Sequence, residues 1–462
     1  MTGHNFHPTV LRAYDVRGIV GETLHAADAR ALGRAFGTVL VRKGGRTIAV
    51  GYDGRLSSPE LEAALVEGLV STGLRVRRIG LGPTPMLYFA VHELGTDAGI
   101  MVTGSHNPPT HNGFKMMMGH GPFFADDIVD LGKLAAAGDF ITGTGRVETV
   151  DLIDAYIARL IRGLDLPSDI AVAWDIGNGA AGTVVPRLIE KLKGRHVLLN
   201  EVVDGNFPAH HPDPTVPENL VQVIETVARE RCDFGIAFDG DADRLGVVDS
   251  KGRILWGDQL MALLARDVLA KYPGAVIIGD VKCSSMLFDE VKRLGGTPLI
   301  WSTGHSHIKK KMKELGAKLG GEMSAHIFFA DDFYGHDDAI YAGLRLLQVL
   351  KRSGKRLDAL RDELPEMVNT PEMRFDCADT RKFIVVDEVL ARLRKAGADF
   401  NNIDGARVNT PDGWWLLRAS NTQAVLVARC EAKDQAGLDR LKGQLAAQLK
   451  ASGVDATVIT GH

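Results

Sequence analysis

Thr47-Ile48-Ala49-Val50-Gly51-Tyr52-Asp53 is a short apolar run that ends in an acid. A stretch with helical periodicity follows over residues 59–70, and a second apolar run over 76–79 closes the unit. Strand, acid-bearing turn, helix and strand in that order describe a βαβ unit. The helix start Ser57-Ser58-Pro59-Glu60 has capping-box chemistry and an early proline. The same order recurs twice. Residues 170–173 lead to Asp175, with a helical pattern over 181–192 and a strand pattern over 197–202. Residues 275–278 lead to Asp280, with a helix over 284–294 and a strand over 298–301. Copies set about a domain length apart read as three related α/β domains, since a solenoid would repeat every ~20–50 residues. One sheet holding several βαβ units is the competing arrangement.

Residues 365–373 hold Pro365 and Pro371 and read as a linker. Beyond it, helices mix with an antiparallel pair at 414–417 and 424–428, a fourth domain of α+β type. The length of 462 residues agrees with three or four domains at roughly 150 residues each. With 45% hydrophobic and 24% charged residues, the composition excludes disordered, collagen-like and coiled-coil classes. A net charge of −4 argues against a nucleic-acid-binding surface. Cys232, Cys283, Cys377 and Cys430 form no C-x-x-C pair, so neither a disulfide framework nor a zinc site is expected. A reducing, cytoplasmic setting is the expectation. There is no signal-peptide pattern near the start, and no apolar run approaches the ~18 residues that span a bilayer. Only the 52 glycines stand out, and glycine serves where chains turn sharply or approach phosphates.

Four loops carry the chemistry. In Phe238-Asp239-Gly240-Asp241-Ala242-Asp243-Arg244, acids alternate on a tight loop between two apolar runs. Three carboxylates turned to one side repel unless a cation lies between them, and hard oxygen ligands suit Mg²⁺, Mn²⁺ or Ca²⁺. An EF-hand is excluded, because its glycine and glutamate places hold Arg244 and Ser250. In Thr103-Gly104-Ser105-His106-Asn107-Pro108-Pro109, a serine follows a strand-like run. Neighbouring side chains diverge, so Ser105 and His106 are not expected to act as nucleophile and base, and a serine hydrolase is disfavoured. A serine oxygen that carries phosphate, facing a cation held by the acids, is the better role. A plain Ser/Asn/Pro turn is the alternative.

Gly320-Gly321-Glu322-Met323-Ser324-Ala325-His326 alternates Glu322, Ser324 and His326, expected on one face of an extended segment. Such groups suit sugar hydroxyls, which both donate and accept. Arg418-Ala419-Ser420-Asn421-Thr422, between the two strands of the last domain, offers a guanidinium, hydroxyls and an amide for a phosphate. Each of these two loops also reads as an ordinary surface turn.

The four loops together, one per domain and in this order, resemble the α-D-phosphohexomutase family. The likeness runs from Ala13-Tyr14-Asp15-Val16-Arg17-Gly18 to the Arg418 loop. Gly51-Tyr52-Asp53-Gly54-Arg55, Gly177-Asn178-Gly179, Asp204-Gly205-Asn206-Phe207-Pro208 and Thr303-Gly304-His305-Ser306 fit the bacterial phosphomannomutase/phosphoglucomutase branch. The expected fold is α/β: three related α/β domains with mixed sheets plus a C-terminal α+β domain around a central active-site cleft. Its expected divisions are 1–150 with the phosphoserine loop, 151–253 with the metal loop, 254–366 with the sugar loop and 367–462 with the phosphate loop.

The resemblance implies a catalytic phosphoserine at Ser105, with Mg²⁺ bound by Asp239, Asp241, Asp243 and the Ser105 phosphate. Glu322, Ser324 and His326 would bind sugar hydroxyls, and Arg418, Ser420, Asn421 and Thr422 the phosphate that is not transferring. Tyr14, Arg17, Lys115, Arg244, Lys282 and His305 would line the cleft, and Arg17, Lys115 and His106 would join Ser105 as the catalytic residues. Lys115, near Arg17, is the expected proton-transfer group. The implied reaction interconverts the 1- and 6-phosphates of mannose and glucose through a hexose 1,6-bisphosphate, which in trace amount is also the activator. Small sugar phosphates are the implied partners, without nucleic acid or membrane, for a monomer or weak oligomer whose last domain moves on the 365–373 linker. A phosphoglucosamine mutase, a Mg²⁺-dependent sugar phosphatase using the same serine, and a non-catalytic sugar-phosphate binder are the alternatives. Met323 stands where phosphoglucosamine mutases usually carry glutamine. Ala325 replaces a frequent glycine, and Gln423 has no assigned role.

Overall fold

The computed structural model describes residues 2–12, 14–421 and 423–460. The described residues form four sheets in sequence order. The first runs Val16–Ile19, His111–Met118, Ala98–Val102, Thr47–Tyr52, Arg75–Leu81, Arg146–Thr149 across its width, with Gly121–Pro122 paired to its second strand. The second runs Ile254–Leu255, Leu245–Asp249, Phe234–Phe238, Ala171–Asp175, Arg195–Leu199. The third runs Thr297–Trp301, Val276–Asp280, Leu319–Gly321, Ile327–Phe329. All three are mixed: a parallel set, four strands in the first sheet and three in each of the others, continues into an antiparallel neighbour. The last sheet is antiparallel, centred on Gly413–Ala419 and Val425–Ala432.

This shared plan decides where function sits. In each of the first three sheets the third parallel strand turns back as a hairpin, at Ala98–Val102/His111–Met118, Phe234–Phe238/Leu245–Asp249 and Leu319–Gly321/Ile327–Phe329. The serine, acid and sugar loops are the tips of those hairpins. The Arg418 loop is the tip of the fourth, in the last sheet. Ligand sites gather beyond the carboxyl ends of parallel strands, where the next connection changes direction.

The acid that ends each first strand has a structural use. Asp53 accepts from Thr103 Oγ1 at 2.8 Å and Gly104 N–H at 3.1 Å, tying the serine loop to the neighbouring strand end. Asp175 accepts from Gly177 N–H and Asn200 Nδ2, and Asp280 from Thr303 Oγ1 at 3.1 Å and Met323 N–H at 3.3 Å. All three are buried. A carboxylate in that position is kept by satisfying loop N–H and hydroxyl donors that have no ladder partner.

Several local expectations change. The helix Ser58–Val70 starts as expected, but Ser57 makes no cap bond. Ser58 Oγ instead donates to Asp53 at 2.6 Å, and Asn112 Nδ2 donates to both serine hydroxyls. Residues 181–192 give only a 3₁₀ turn, Ala180–Thr183, and a short helix, Val185–Ile189, because Gly182 and Pro186 interrupt the run. The 365–373 segment is not a free linker: Val368–Asn369 pairs with Val425–Ala432, and so does Met373–Asp376.

One apolar core runs continuously under the first three sheets, through Leu87, Trp174, Leu263 and Leu319. The last sheet has its own core. Its helix Gln435–Ala451 is capped by Asp434, which accepts from Gly437 N–H at 2.7 Å. Leu441, Leu445 and Leu449 recur every four residues and are fully buried, each contributing about 1.5–3 kcal/mol. This sheet docks on residues 281–285 through polar bonds. Arg407 donates to the carbonyls of Val281 and Cys283 at 2.6 and 2.7 Å, and Arg429 to that of Lys282. Glu431 accepts from the Ser285 N–H and hydroxyl and from Trp414 Nε1. The four cysteines are free and buried. Among the described residues, no helix is long and apolar enough to cross a membrane.

Candidate active site

The four hairpin tips meet around one cavity of about 1120 Å³. Its walls include Tyr14, Arg17, Ser105, His106, Lys115, Arg244, Lys282, His305, Glu322, Ser324, His326, Arg418, Ser420 and Asn421. Sequence reasoning thus named residues that the fold brings together from all four sheets. Thr422 lies outside the described residues.

Ser105 sits in the left-handed region at φ +49° and is 2% exposed. For a residue with a Cβ, this conformation persists only when its surroundings impose it. Arg55, buried beneath the loop, does so. Its guanidinium donates to the carbonyls of Ser105, Asn107, Pro108 and His111 at 2.6–2.9 Å. Gly104 is required there, since a Cβ would lie 2.4 Å from Arg55 Cζ. Gly240 is required opposite, where a Cβ would come within 2.5 Å of the Ser105 carbonyl oxygen. The left-handed turn also overturns the expected divergence of Ser105 and His106, because it folds the two side chains together at 3.2 Å between Oγ and Nδ1. Ser105 Oγ donates to Asp239 Oδ2 at 3.0 Å.

Arg55 is the largest omission of motif reading, since its role depends on a contact some fifty residues away. Lysine cannot reach four carbonyls at once. Arg55→Lys is expected to lower unfolding free energy by about 3 kcal/mol and to reduce turnover through a loosened serine loop. Chemical denaturation and steady-state kinetics test this, and a variant equal to the parent in both would contradict the assigned role. Arg429, Asp15 and Asp404 were also passed over. Asp15 pairs with Arg17, Asp404 accepts from Arg418 Nε at 2.9 Å, and Arg429 lines the cleft.

Asp239, Asp241 and Asp243 are fully buried, with one oxygen of each within 4.8 Å of the others. Among the described residues, Asp241 Oδ1 has no hydrogen-bond partner, and Asp243 Oδ1 stands 3.3 Å from His326 Nε2. Burial and the charges of Asp241 and Asp243 push Asp239 well above the usual carboxylate range. Burial works the same way on Asp243, but Lys115 and His326 overcome it and hold that group low. Anionic oxygens without donors, packed beside Ser105 Oγ, fit a hard divalent cation.

Lys115 Nζ donates to Asp241 Oδ2 at 2.7 Å and to Asp243. Burial alone would lower its pKa; the three acids raise it instead. In this arrangement Lys115 is a counter-ion to Asp241 and Asp243. Arg17 donates to the Gly104 carbonyl at 2.7 Å and to Asn107 Oδ1 at 3.1 Å.

The sugar loop is a tight turn and not the extended segment expected. Glu322 N–H donates to the His326 carbonyl at 3.0 Å, and Ala325 adopts φ +67°. The turn brings Glu322 Oε2 within 2.9 Å of His326 Nδ1. Burial and Arg244 pull His326 down, yet Asp243 and Glu322 outweigh them and hold it at about 9. Burial would raise Glu322, but His326 keeps it at about 2. At the far wall, Asn421 Nδ2 donates to Tyr14 Oη, which itself donates to the Thr303 carbonyl at 3.2 Å. Lys282 pairs with Glu372 at 3.3 Å. Gln423 gains a role: its side-chain oxygen accepts from Arg374, and its N–H donates to Ser420 Oγ.

Four family descriptions match the chain in order. They are "Phosphoglucomutase/phosphomannomutase, alpha/beta/alpha domain I" over 9–132, domain II over 154–252, domain III over 256–368 and the C-terminal domain over 372–448. The phosphomannomutase/phosphoglucomutase of Pseudomonas putida is 45% identical over 441 residues, 96% of this chain and 95% of its own. That of Pseudomonas aeruginosa is 43% identical over 443 residues, 96% of each chain. A crystal structure of a phosphoglucomutase/phosphomannomutase family protein from Burkholderia thailandensis superposes with a TM-score of 0.92 at 43% identity, covering 97% of this chain and 98% of that one. With every loop of the cleft inside a matched region, the chain belongs to the phosphoglucomutase/phosphomannomutase family of α-D-phosphohexomutases.

Proposed function

We propose that this mutase interconverts the 1- and 6-phosphates of mannose and glucose, with Ser105 carrying the phosphoryl group. The observation that carries the reading is one cavity with two anion-binding walls. Ser105 with Arg17 and Arg244 lines one, the three acids lying buried behind it, and Arg418 with Ser420 and Asn421 lines the other. A hydrolase needs only the first wall. A mutase must hold the phosphate that is not reacting while the other transfers, in both poses of a bisphosphate.

Phosphorylated Ser105 passes its phosphoryl group to a sugar hydroxyl, giving a hexose 1,6-bisphosphate. After that intermediate turns around, its other phosphate returns to Ser105. Asp239, Asp241 and Asp243 would hold Mg²⁺ beside the serine phosphate, where a divalent cation offsets charge on the transferring group. Arg17 and the Arg55-held loop keep Oγ in line. Glu322, Ser324 and His326 bind ring hydroxyls, and Lys282 and Arg418 hold the distal phosphate. A trace of bisphosphate restores any enzyme that has lost its phosphoryl group. The four divisions 1–150, 151–253, 254–366 and 367–462 belong to this reading, each giving one loop. Free buried thiols suit a reducing cytoplasm, and small sugar phosphates are the partners of a monomer or weak oligomer.

The test supplies mannose 1-phosphate or glucose 1-phosphate with Mg²⁺ and a trace of bisphosphate. The 6-phosphate is the expected product. Free phosphate would instead mark a phosphatase, and no turnover a binder. A kcat/KM highest for glucosamine 1-phosphate would move the assignment to a phosphoglucosamine mutase.

A further inference from the structure

Asp337 is a fully buried acid that no motif and no matched name accounts for. Its backbone is fixed on both sides. It bridges to Phe328, and the next residue, Asp338, caps the helix Ala339–Ser353 by accepting from Tyr341 N–H at 2.8 Å. Tyr156 Oη also donates to Asp338, at 2.7 Å. The helix His305–Leu315 presents two side chains to this acid, one turn apart, as i and i+4 positions must. Lys309 Nζ donates to Asp337 Oδ1 at 2.9 Å. His305 Nδ1 stands 3.5 Å from Asp337 Oδ2.

Among the described residues, neither His305 Nδ1 nor Asp337 Oδ2 has a hydrogen-bond partner, although both atoms are buried. Buried polar atoms are seldom left so, and a single proton on Nδ1 would satisfy both. Burial, and then Lys309, push the His305 pKa well down, so the ring is neutral with one N–H. Which nitrogen holds that proton decides what the cleft offers. His305 lines the cleft and stacks on His326 with ring centres 5.4 Å apart.

We propose that Asp337 is a positioning residue for His305: its Oδ2 accepts the Nδ1–H, leaving Nε2 as a hydrogen-bond acceptor toward the cleft. An acceptor there favours a donating sugar hydroxyl over a phosphate oxygen, which can only accept. Lys309, bonded to Oδ1, fixes the rotation of the carboxylate. The separation of 3.5 Å closes when ligand fills the site, as hydrogen bonds at reacting centres do. The same arrangement, an acid that fixes an imidazole tautomer without touching substrate, is well precedented in principle.

The kinetic part of the test rests on the mutase reading; the spectroscopic part does not. In wild-type enzyme labelled with ¹⁵N-histidine, with His305 assigned by comparison with His305→Gln, the expected pattern is a protonated Nδ1 and a bare Nε2. Asp337→Asn should shift that balance toward Nε2–H and lower kcat/KM by about 10–100-fold. On the His305→Gln background, Asp337→Asn should add no further loss. A wild-type His305 protonated on Nε2 overturns the proposal, as do losses that multiply in the double variant. If Asp337→Asn does not fold, the wild-type spectrum alone decides. Absence of turnover in the wild type would count against the mutase reading while leaving the tautomer result intact.

Discussion

Ser105→Ala is expected to lower mutase turnover by roughly 10⁴-fold or more, the scale on which removing a nucleophile acts. No other oxygen can replace the lost one. Oγ is the atom that meets Asp239 at 3.0 Å and His106 at 3.2 Å, at the end of a loop held by Arg55. The fold should survive, because alanine meets the same φ of +49° with the same Cβ, and the lost hydrogen bonds are worth about 1 kcal/mol. The decisive comparison pairs kcat/KM with phosphate content. Parent enzyme incubated with labelled hexose 1,6-bisphosphate should take up label at Ser105, whereas the alanine variant takes up none. Near-normal turnover in a fully folded variant would remove Ser105 from the reaction.

Lys115→Leu should give the second largest effect, on stability as well as activity. The lysine is the closest counter-ion to Asp241 and Asp243, and all of these groups are buried. Removing one partner from such a cluster leaves uncompensated charge, with a cost of about 3–5 kcal/mol. A divalent cation supplies charge at the same place, and a ligand that binds only the native state raises stability as its concentration grows. Mg²⁺ should therefore raise Tm more in Lys115→Leu than in the parent. Calorimetry across a Mg²⁺ series, with chelator as the zero point, reads this directly. Equal Tm in chelator for the two proteins would show that the lysine does not balance the acids.

What the sequence showed and hid follows from the range of each interaction. The three βαβ units were legible because apolar runs and helical periods are local, and the acids ending Thr47–Tyr52, Ala171–Asp175 and Val276–Asp280 stand where the pattern stops. The acid loop was legible because its alternation lies between two strands that announce themselves. Ser105 and His106 were misjudged because the sign of φ at a non-glycine residue leaves no trace in composition, and a left-handed turn reverses where its side chain points. The 322–326 turn was missed for the same reason, at Ala325. Arg55 and Asp337 were invisible as site residues because each acts on groups brought near only by the completed fold. The 365–373 segment looked like a linker through its prolines, yet its short strands reach a partner over fifty residues ahead.

The docking of the last sheet on residues 281–285 has a mechanical consequence. Arg407, Arg429 and Glu431 grip that short segment by several bonds. Across the cavity, the contact among the described residues is a single side-chain bond from Asn421 to Tyr14, just ahead of the first sheet's edge strand. The two sides are therefore unequal fastenings, one a pivot and the other a clasp. Any swing of the last sheet is thus expected to part Tyr14 from Asn421 while the 281–285 edge keeps its place. Such a swing would carry Arg418 relative to Ser105, so the gap between these two residues is the quantity expected to change.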